Sequence, residues 1–264
     1  MNVKAVVKVM NFHALLRVDN SRRVAERYQT MVEELESFMK IIINNKNILM
    51  DKLIRLPDPD APVLRIYIGS DYGFCGSVNS SVVSVMKEKQ DGKRVIIGKK
   101  IRRTEDSELF LLQEEFAERF EELTAIFEKA VDQQPWSAIE LVYNEYLNAS
   151  AARQITKKIY PPELSGEKEK KPEKSAGYED FMMEGEPRRM LRDLTVTYLN
   201  YMLKIAMASS YASENVMRQA ATTESLKKID EIEEEERKAE WKRRSEESFR
   251  KTIDGYTRSH VLIK

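Results

Sequence analysis

The sequence predicts an α+α/β fold, in which long N- and C-terminal helices form an antiparallel coiled coil around an inserted Rossmann-like α/β domain. Three observations predict this fold: a long C-terminal stretch without glycine or proline, a helical repeat at the N-terminus, and strands alternating with helices between them. The corresponding domains are residues 1–56, 62–184 and 187–264.

The first 50 residues predict the N-terminal helix. Asp19-Asn20-Ser21 should interrupt or kink this helix, because short polar side chains compete for backbone hydrogen bonds. Apolar or aromatic residues recur mostly at steps of three or four, at Met10, His13, Leu16, Val24, Tyr28, Met31, Leu35, Phe38 and Ile41-Ile42.

The central block begins after the turn-rich hinge Pro57–Pro62. Strands that alternate with helices favour βαβ units and a mostly parallel sheet. Leu164–Ala176 is a charged segment with few apolar residues, which indicates a mobile loop. The predicted strands are Val63–Ile68, Val95–Ile97 and Ile139–Tyr143, the predicted helices are Ser77–Gln90 and Ser107–Val131, and the further candidate strands are Gln154–Tyr160 and Tyr178–Met183.

The C-terminal stretch from Arg188 to Asp254 contains about 67 residues, which as one helix would be close to 100 Å long. About two-thirds of the residues from Glu224 to Lys251 are charged, so this is not a membrane span, which needs ~20 mostly apolar residues. A coiled-coil seam that must be buried, most simply against the N-terminal helix, comprises Leu191, Leu194, Tyr198, Met202, Ile205, Ser209, Ala212 and Val216.

Composition excludes several classes of protein. The formal net charge is zero, so no overall field attracts nucleic acid. The single cysteine, Cys75, excludes an internal disulfide and is compatible with a reducing compartment. The N-terminus lacks the ~7–15-residue uncharged core of a secretory signal. We therefore expect a cytoplasmic protein that is not itself inserted in a membrane.

The glycine-rich turn after the first strand, Gly69–Asn79, invites a phosphate-binding interpretation, because free N–H groups at a helix start attract anions. Its spacing matches neither G-x-G-x-x-G nor a loop ending in Gly-Lys-Ser/Thr. A tight turn that requires positive φ angles is therefore the favoured interpretation.

Cys75 lies at the start of a predicted helix, where a thiol can be activated as a nucleophile. The two histidines, His13 and His260, lie near the chain ends and are not spaced as partners for it. A buried or half-buried thiol is the better interpretation, and we expect no catalytic residues, no metal site and no cofactor.

The same turn resembles a motif of the gamma subunit of F-type ATP synthases, S-(T/D)-x-(R/K)-G-L-C-G-x-(L/F)-N. Later stretches resemble the same family: Ile97–Lys100, Val142–Tyr146 and, on the long helix, Tyr211–Asn215 with Met217 and Ala220–Thr222. The residues that match the family motifs, and that the resemblance marks as interaction residues, are Ser70, Asp71, Gly73, Cys75, Gly76 and Asn79 in the turn, and Ala212, Ser213 and Glu214 on the helix.

The chain departs from the family pattern at several places, which indicates a divergent member. Tyr72 stands where a basic residue is usual. The sequence also begins about where the family's basic N-terminal segment ends, which predicts a short N-terminal helix. Near the C-terminus the family's hexamer-contacting motif is largely replaced, and the candidates for that contact here are Ala239, Glu240, Trp241 and Glu247.

The resemblance implies a central rotary stalk. Its coiled coil would enter a hexamer of alpha and beta subunits, and its α/β domain would lie near the epsilon subunit and the membrane ring of c subunits. Ion flow would be coupled to ATP chemistry on those other subunits, at the cytoplasmic face of the membrane.

Two other functions fit parts of the sequence. The first is a stalk for another hexameric ATPase, such as a secretion-system export ATPase, although the α/β block is unusual for such a stalk. The second is a nucleotide-binding enzyme with a helical appendage, which the missing phosphate loop disfavours.

Overall fold

The computed structural model describes residues 3–44, 57–148, 151–162 and 185–261. Two long helices flank an α/β domain, as the sequence predicts, and the sheet of this domain has five strands. The elements in chain order are α1 (Val3–Asn44), β1 (Val63–Ile68), α2 (Val78–Glu88), β2 (Lys93–Ile97), β3 (Ser107–Leu111), α3 (Phe120–Gln133), β4 (Ala138–Asn148), β5 (Ala151–Tyr160) and α4 (Pro187–Val261).

The sheet is mostly parallel, which confirms the prediction from alternating strands and helices. Its strand order is β3-β2-β1-β4-β5, and only β5 runs antiparallel to its neighbour. The central strand β1 is a continuous buried run, as expected for a strand covered on both faces. The candidate strand Gln154–Tyr160 is part of β5, whereas Tyr178–Met183 and the charged segment Leu164–Ala176 lie outside the described residues.

The predicted helix Ser107–Val131 was wrong in its first part. Residues Ser107–Leu111 form the edge strand β3 instead, and the helix begins only at Phe120. β3 pairs in parallel with β2, and the carbonyl of Leu111 accepts a 2.8 Å hydrogen bond from the amide of Gly98. Pairing with an existing buried strand overrides the local helix preference of this Glu- and Leu-rich segment.

The two long helices pack antiparallel, because their contacts fall along α4 as they rise along α1. Lys4 pairs with Asp230, the amide of Asn11 donates to Thr222, and the ring of Tyr28 lies 5.7 Å from that of Tyr201. The predicted burial of the α4 seam is confirmed, since Leu194 and Ile205 are partly buried and its other members are buried. Ser209 contacts β4 rather than α1.

The register predicted for α1 was wrong at several positions. Met31 and Phe38 are 41% and 47% exposed, whereas their neighbours Val32 and Met39 are 2% and 0% exposed. Adjacent residues of a helix lie about 100° apart, so an error of one position moves a side chain off the contact face. The seam follows the heptad spacing of a supercoil, with buried residues at Ala14, Val18, Ser21, Val32, Met39 and Ile42.

The predicted interruption at Asp19-Asn20-Ser21 was also wrong, because α1 continues through it. The Asp19 carboxylate forms ion pairs with Arg22 and Arg23, three and four residues later, instead of competing for backbone groups. Ser21 is buried in the seam.

The C-terminal part of α4 extends beyond the contact with α1. Every side chain described from Glu231 to Gly255 is exposed. Three ion pairs at spacing i, i+4 run along this segment, with the acid first in each, and pairs of this kind support an isolated helix. Within the described residues, no helix has the length and apolar character needed to cross a bilayer.

A candidate interaction site at the junction of the sheet and the long helix

The turn after β1 is closed by its own polar side chains. The amide of Ser70 donates to Oδ1 of Asn79 at 2.8 Å, and Nδ2 of Asn79 donates back to Oγ of Ser70 at 2.7 Å. The same Nδ2 lies 3.2 Å from Sγ of Cys75, which is 3% exposed. The expectation of a buried thiol is therefore confirmed, and Cys75 packs inside the turn.

Asp71 joins three loops at the carboxyl edge of the parallel strands. Its Oδ1 accepts a 2.8 Å hydrogen bond from the amide of Lys99, which follows β2. Its Oδ2 accepts a 3.3 Å hydrogen bond from the amide of Glu114, which follows β3. A carboxylate that accepts two backbone N–H groups in a buried position organises the loops around it.

Two glycines of the turn have different roles. Gly76 has φ +57°, a backbone conformation that residues with a side chain rarely adopt, so this position favours glycine. A Cβ on Gly73 would meet nothing within 4 Å. Its carbonyl instead accepts a 3.4 Å hydrogen bond from Arg218 of α4.

Small residues let α4 lie directly against β4. The hydroxyl of Ser213 donates to the carbonyl of Asn144 at 2.9 Å, and the amide of Tyr146 donates to the hydroxyl of Ser209 at 2.9 Å. Nδ2 of Asn144 also donates to the carbonyl of Val78 at the start of α2. Ala212, next to Ser213 on α4, is 1% exposed.

Glu214 and Arg218 form a buried ion pair one helical turn apart, with 1% and 7% of their surfaces exposed. Burial raises the pKa of Glu214, and the neighbouring guanidinium of Arg218 opposes that rise. Arg218 also donates to Oδ1 of Asn215 at 3.1 Å. Arg218 is not among the residues predicted from the sequence, although the spacing Glu-x-x-x-Arg on one helix was a signal for it.

The two family motifs, which lie more than 130 residues apart in sequence, therefore meet in one network. We call it the junction: Ser70, Asp71, Gly73, Cys75, Gly76 and Asn79 of the turn with Ala212, Ser213, Glu214 and Arg218 of α4. In the part of the chain that the structure describes, no group of three His, Cys, Asp or Glu side chains is placed to hold a metal ion.

A second contact joins the α/β domain to α4 near the N-terminus of that helix. The guanidinium of Arg192 donates to both carboxylate oxygens of Asp132 on α3, at 2.8 and 2.6 Å. This bidentate geometry lowers the pKa of Asp132. Arg192 and Arg218 are 26 residues apart, about 39 Å along the helix, so the domain is held at two separated points.

The other sequence candidates lie apart from the junction. Ala239, Glu240, Trp241 and Glu247 are on the projecting part of α4, roughly 30 Å or more beyond Arg218. Trp241 is 74% exposed, and Glu240 and Glu247 pair with Arg244 and Lys251 of the same helix. These residues are available for contact with another molecule.

Comparisons with known proteins agree with this architecture. A family model described as ATP synthase matches residues 1–245. The ATP synthase gamma chain of Clostridium perfringens (strain SM101) is 22% identical over 244 residues, which cover 88% of this chain and 83% of the relative. The gamma chain of Syntrophus aciditrophicus (strain SB) is 25% identical over 234 residues, covering 79% of each.

Among solved structures, the fold is similar to a chain in the central stalk and c-ring of the Tetrahymena thermophila mitochondrial ATP synthase. The TM-score is 0.59 at 18% identity, covering 83% of this chain and 99% of that chain.

Proposed function

The chain belongs to the ATP synthase gamma-subunit family, and we propose that it is the central rotary stalk of an F-type, proton- or sodium-translocating ATP synthase or ATPase. It would couple ion flow through the membrane ring to ATP synthesis or hydrolysis on an alpha/beta hexamer. The observation that carries this proposal is α4, which projects as a solvated helix beyond α1 while its lower half is fixed to the α/β domain.

The proposed partners follow from the two ends of the molecule. The projecting part of α4 would enter the hexamer of alpha and beta subunits. The α/β domain would lie at the foot of the stalk, near the epsilon subunit and the ring of c subunits. Nucleic acid is not among the proposed partners, in keeping with a net charge of zero.

We further propose that the chain is a non-catalytic subunit, peripheral to the membrane and on its cytoplasmic face. The family places the chain in a membrane-associated ATP synthase complex. The polar side chains gathered at the junction bond to one another and to the backbone, as expected of structural groups. Catalytic chemistry would then take place on the partner subunits.

The junction has a mechanical role in this proposal. A stalk that transmits torque must not allow its foot to rotate against its axle. Hydrogen bonds from Ser213 and Arg218 fix the α/β domain to α4 at one position, and the bidentate Arg192–Asp132 contact fixes it at a second position nearer the N-terminus of the helix. We propose that the residues of the junction serve this attachment.

The hexamer contact is proposed for the segment that contains Ala239, Glu240, Trp241 and Glu247. An exposed tryptophan with basic neighbours is the kind of group that dominates an interface, costing about 2 kcal/mol or more when truncated. Trp241 has Lys242, Arg243 and Arg244 beside it. Ion pairs within the helix, by contrast, usually contribute about 0–1 kcal/mol.

The test is the ATPase activity of the cognate alpha/beta hexamer with and without this chain. Wild-type chain should bind the hexamer and stimulate hydrolysis. Trp241→Ala should weaken that stimulation, while Glu234→Gln, on the same exposed helix, should leave it unchanged. A wild-type chain that neither binds nor stimulates the hexamer contradicts the stalk function. Equal, negligible effects of both variants contradict only the assignment of Trp241.

A further inference from the structure

A cavity of about 800 Å³ lies where α1, the loop after β3 and α4 meet. This volume is typical of pockets that bind small molecules. Its walls include aromatic rings from each element: Tyr28 of α1, Phe116 and Phe120 near the start of α3, and Tyr211 of α4. Tyr72 of the turn after β1 also lines it.

Lys204 provides a cation at the end of the cavity formed by Tyr28 and Phe120, and its Nζ lies against aromatic rings. Nζ is 4.6 Å from the ring centre of Phe120, 5.2 Å from that of Tyr201 and 5.9 Å from that of Tyr28. The ammonium is attracted to the faces of these rings. They accept no ordinary N–H hydrogen bond.

Lys204 is half-buried and forms no ion pair with a carboxylate among the residues that the structure describes. The positive charge of Arg17 lies at the opposite end of the cavity, near Asp71 and Glu214. Arg17 and Tyr28 are 11 residues apart, about 16 Å along α1, so Arg17 and Lys204 do not share one small anion. A half-buried cation without a counter-ion attracts an anion more strongly than a solvated one does.

Two carboxylates of the cavity lie at the end away from Lys204 and are already engaged. Asp71 accepts backbone N–H groups, including that of Glu114, and Glu214 pairs with Arg218. Glu114 itself is exposed. The end of the cavity at Lys204 therefore combines an ammonium that has no carboxylate partner among the described residues with flat apolar walls, among them Phe116 and Phe120, which contact each other edge to face at 5.3 Å.

We propose that this cavity is a binding site for a small aromatic anion. The ring of the ligand packs among Tyr28, Phe116 and Phe120, and its carboxylate, sulfonate or phosphate group accepts hydrogen bonds from Nζ of Lys204. Such a ligand touches α1, the approach to α3 and α4 together, so its binding stabilises the attachment of the α/β domain to the coiled coil.

The experiment uses two dyes with the same kind of ring system, the anionic anilinonaphthalene sulfonate and the neutral N-phenylnaphthylamine. Fluorescence titration of the full chain gives the dissociation constant of each dye. We expect Lys204→Met, which keeps most of the apolar stem, to weaken binding of the anionic dye by about tenfold or more. Binding of the neutral dye should change by less than about twofold.

Lys227→Met is the matched control, because Lys227 is an exposed lysine on the same helix and outside the cavity. It should leave both dissociation constants unchanged. The neutral dye also reports whether the cavity survives in the Lys204 variant. Unchanged binding of the anionic dye in Lys204→Met contradicts the proposal. Equal weakening of both dyes contradicts it too, because charge would then not be what the cavity recognises.

Discussion

At the scale of single residues, Glu214 and Arg218 determine how firmly the junction holds, because both charges are almost entirely removed from water. Removing one partner of a buried pair leaves the other uncompensated and costs about 3–5 kcal/mol. We therefore expect Arg218→Gln to lower the free energy of unfolding by about 3 kcal/mol at neutral pH. Urea denaturation of the purified chain measures this change.

The control for that variant is Lys251→Gln, which breaks an exposed pair with Glu247 at the same i, i+4 spacing on the same helix. Its cost should be below about 1 kcal/mol. The destabilisation by Arg218→Gln should also shrink as the pH falls towards the ordinary pKa of a carboxyl, because Glu214 then takes up a proton. Similar costs for the two variants would mean that the buried pair does not stabilise the junction.

Tyr143 predicts a pH dependence at the alkaline end. Burial raises the pKa of its hydroxyl to about 12, above the value near 10 of an exposed tyrosine. The stability that Tyr143 contributes is therefore complete below about pH 10 and is lost as the pH rises from 10 towards 12. Tyr143→Phe should lose less unfolding free energy over this range, by up to about 1.4 kcal/mol per pH unit. Parallel pH dependences for the two proteins would contradict the assignment.

The sequence predicted much of the junction but not how its parts meet. Ser70, Asp71 and Asn79 belong to one family motif, and Ser213 and Glu214 belong to a separate one. The motifs do not indicate that Arg218 donates to the carbonyl of Gly73, since that contact depends on how α4 crosses the sheet. A hydrogen bond to a backbone carbonyl does not depend on the residue type that carries the carbonyl, so the amino-acid sequence does not indicate it.

At the scale of elements, the antiparallel helix pair should depend on heptad positions that the structure identifies. Val32→Asp should destabilise the chain by about 3 kcal/mol or more, because it places a charge in the buried seam. Met31→Asp, one residue away and 41% exposed, should cost less than about 1 kcal/mol. Thermal and urea unfolding of both variants measure the difference. Comparable losses would show that the seam does not lie at Val32.

The elements differ in how well the sequence predicts them. β1, β2, α2 and α4 have strong local patterns, and the structure contains them near the predicted bounds. β3 is an edge strand that is specified by pairing with β2 rather than by its own Glu- and Leu-rich residues. The register predicted for α1 was wrong because several apolar residues of this helix, including Phe12 and Leu16, are exposed. Their presence hides the pattern of the residues that contact α4.

At the scale of the whole molecule, the α/β domain is attached to α4 at two positions along the helix. The C-terminal part of α4 continues beyond its partner helix α1. In the proposed function, the Arg192–Asp132 contact and the junction resist rotation of the α/β domain about α4. The projecting segment has ion pairs along its length and an exposed Trp241, so it remains helical in water and can contact a surrounding partner. A stiff axle with a firmly attached foot is what rotary coupling needs.

The most direct test is to observe rotation of this chain in its cognate alpha/beta hexamer. The hexamer is immobilised, and a bead is attached to a cysteine introduced at Lys158, an exposed position of the α/β domain, while the native Cys75 is buried. We expect ATP to drive continuous rotation of the bead in one direction, and the isolated chain neither to hydrolyse nor to bind ATP tightly. A bead that stays fixed while a hexamer containing this chain hydrolyses ATP would contradict the stalk function.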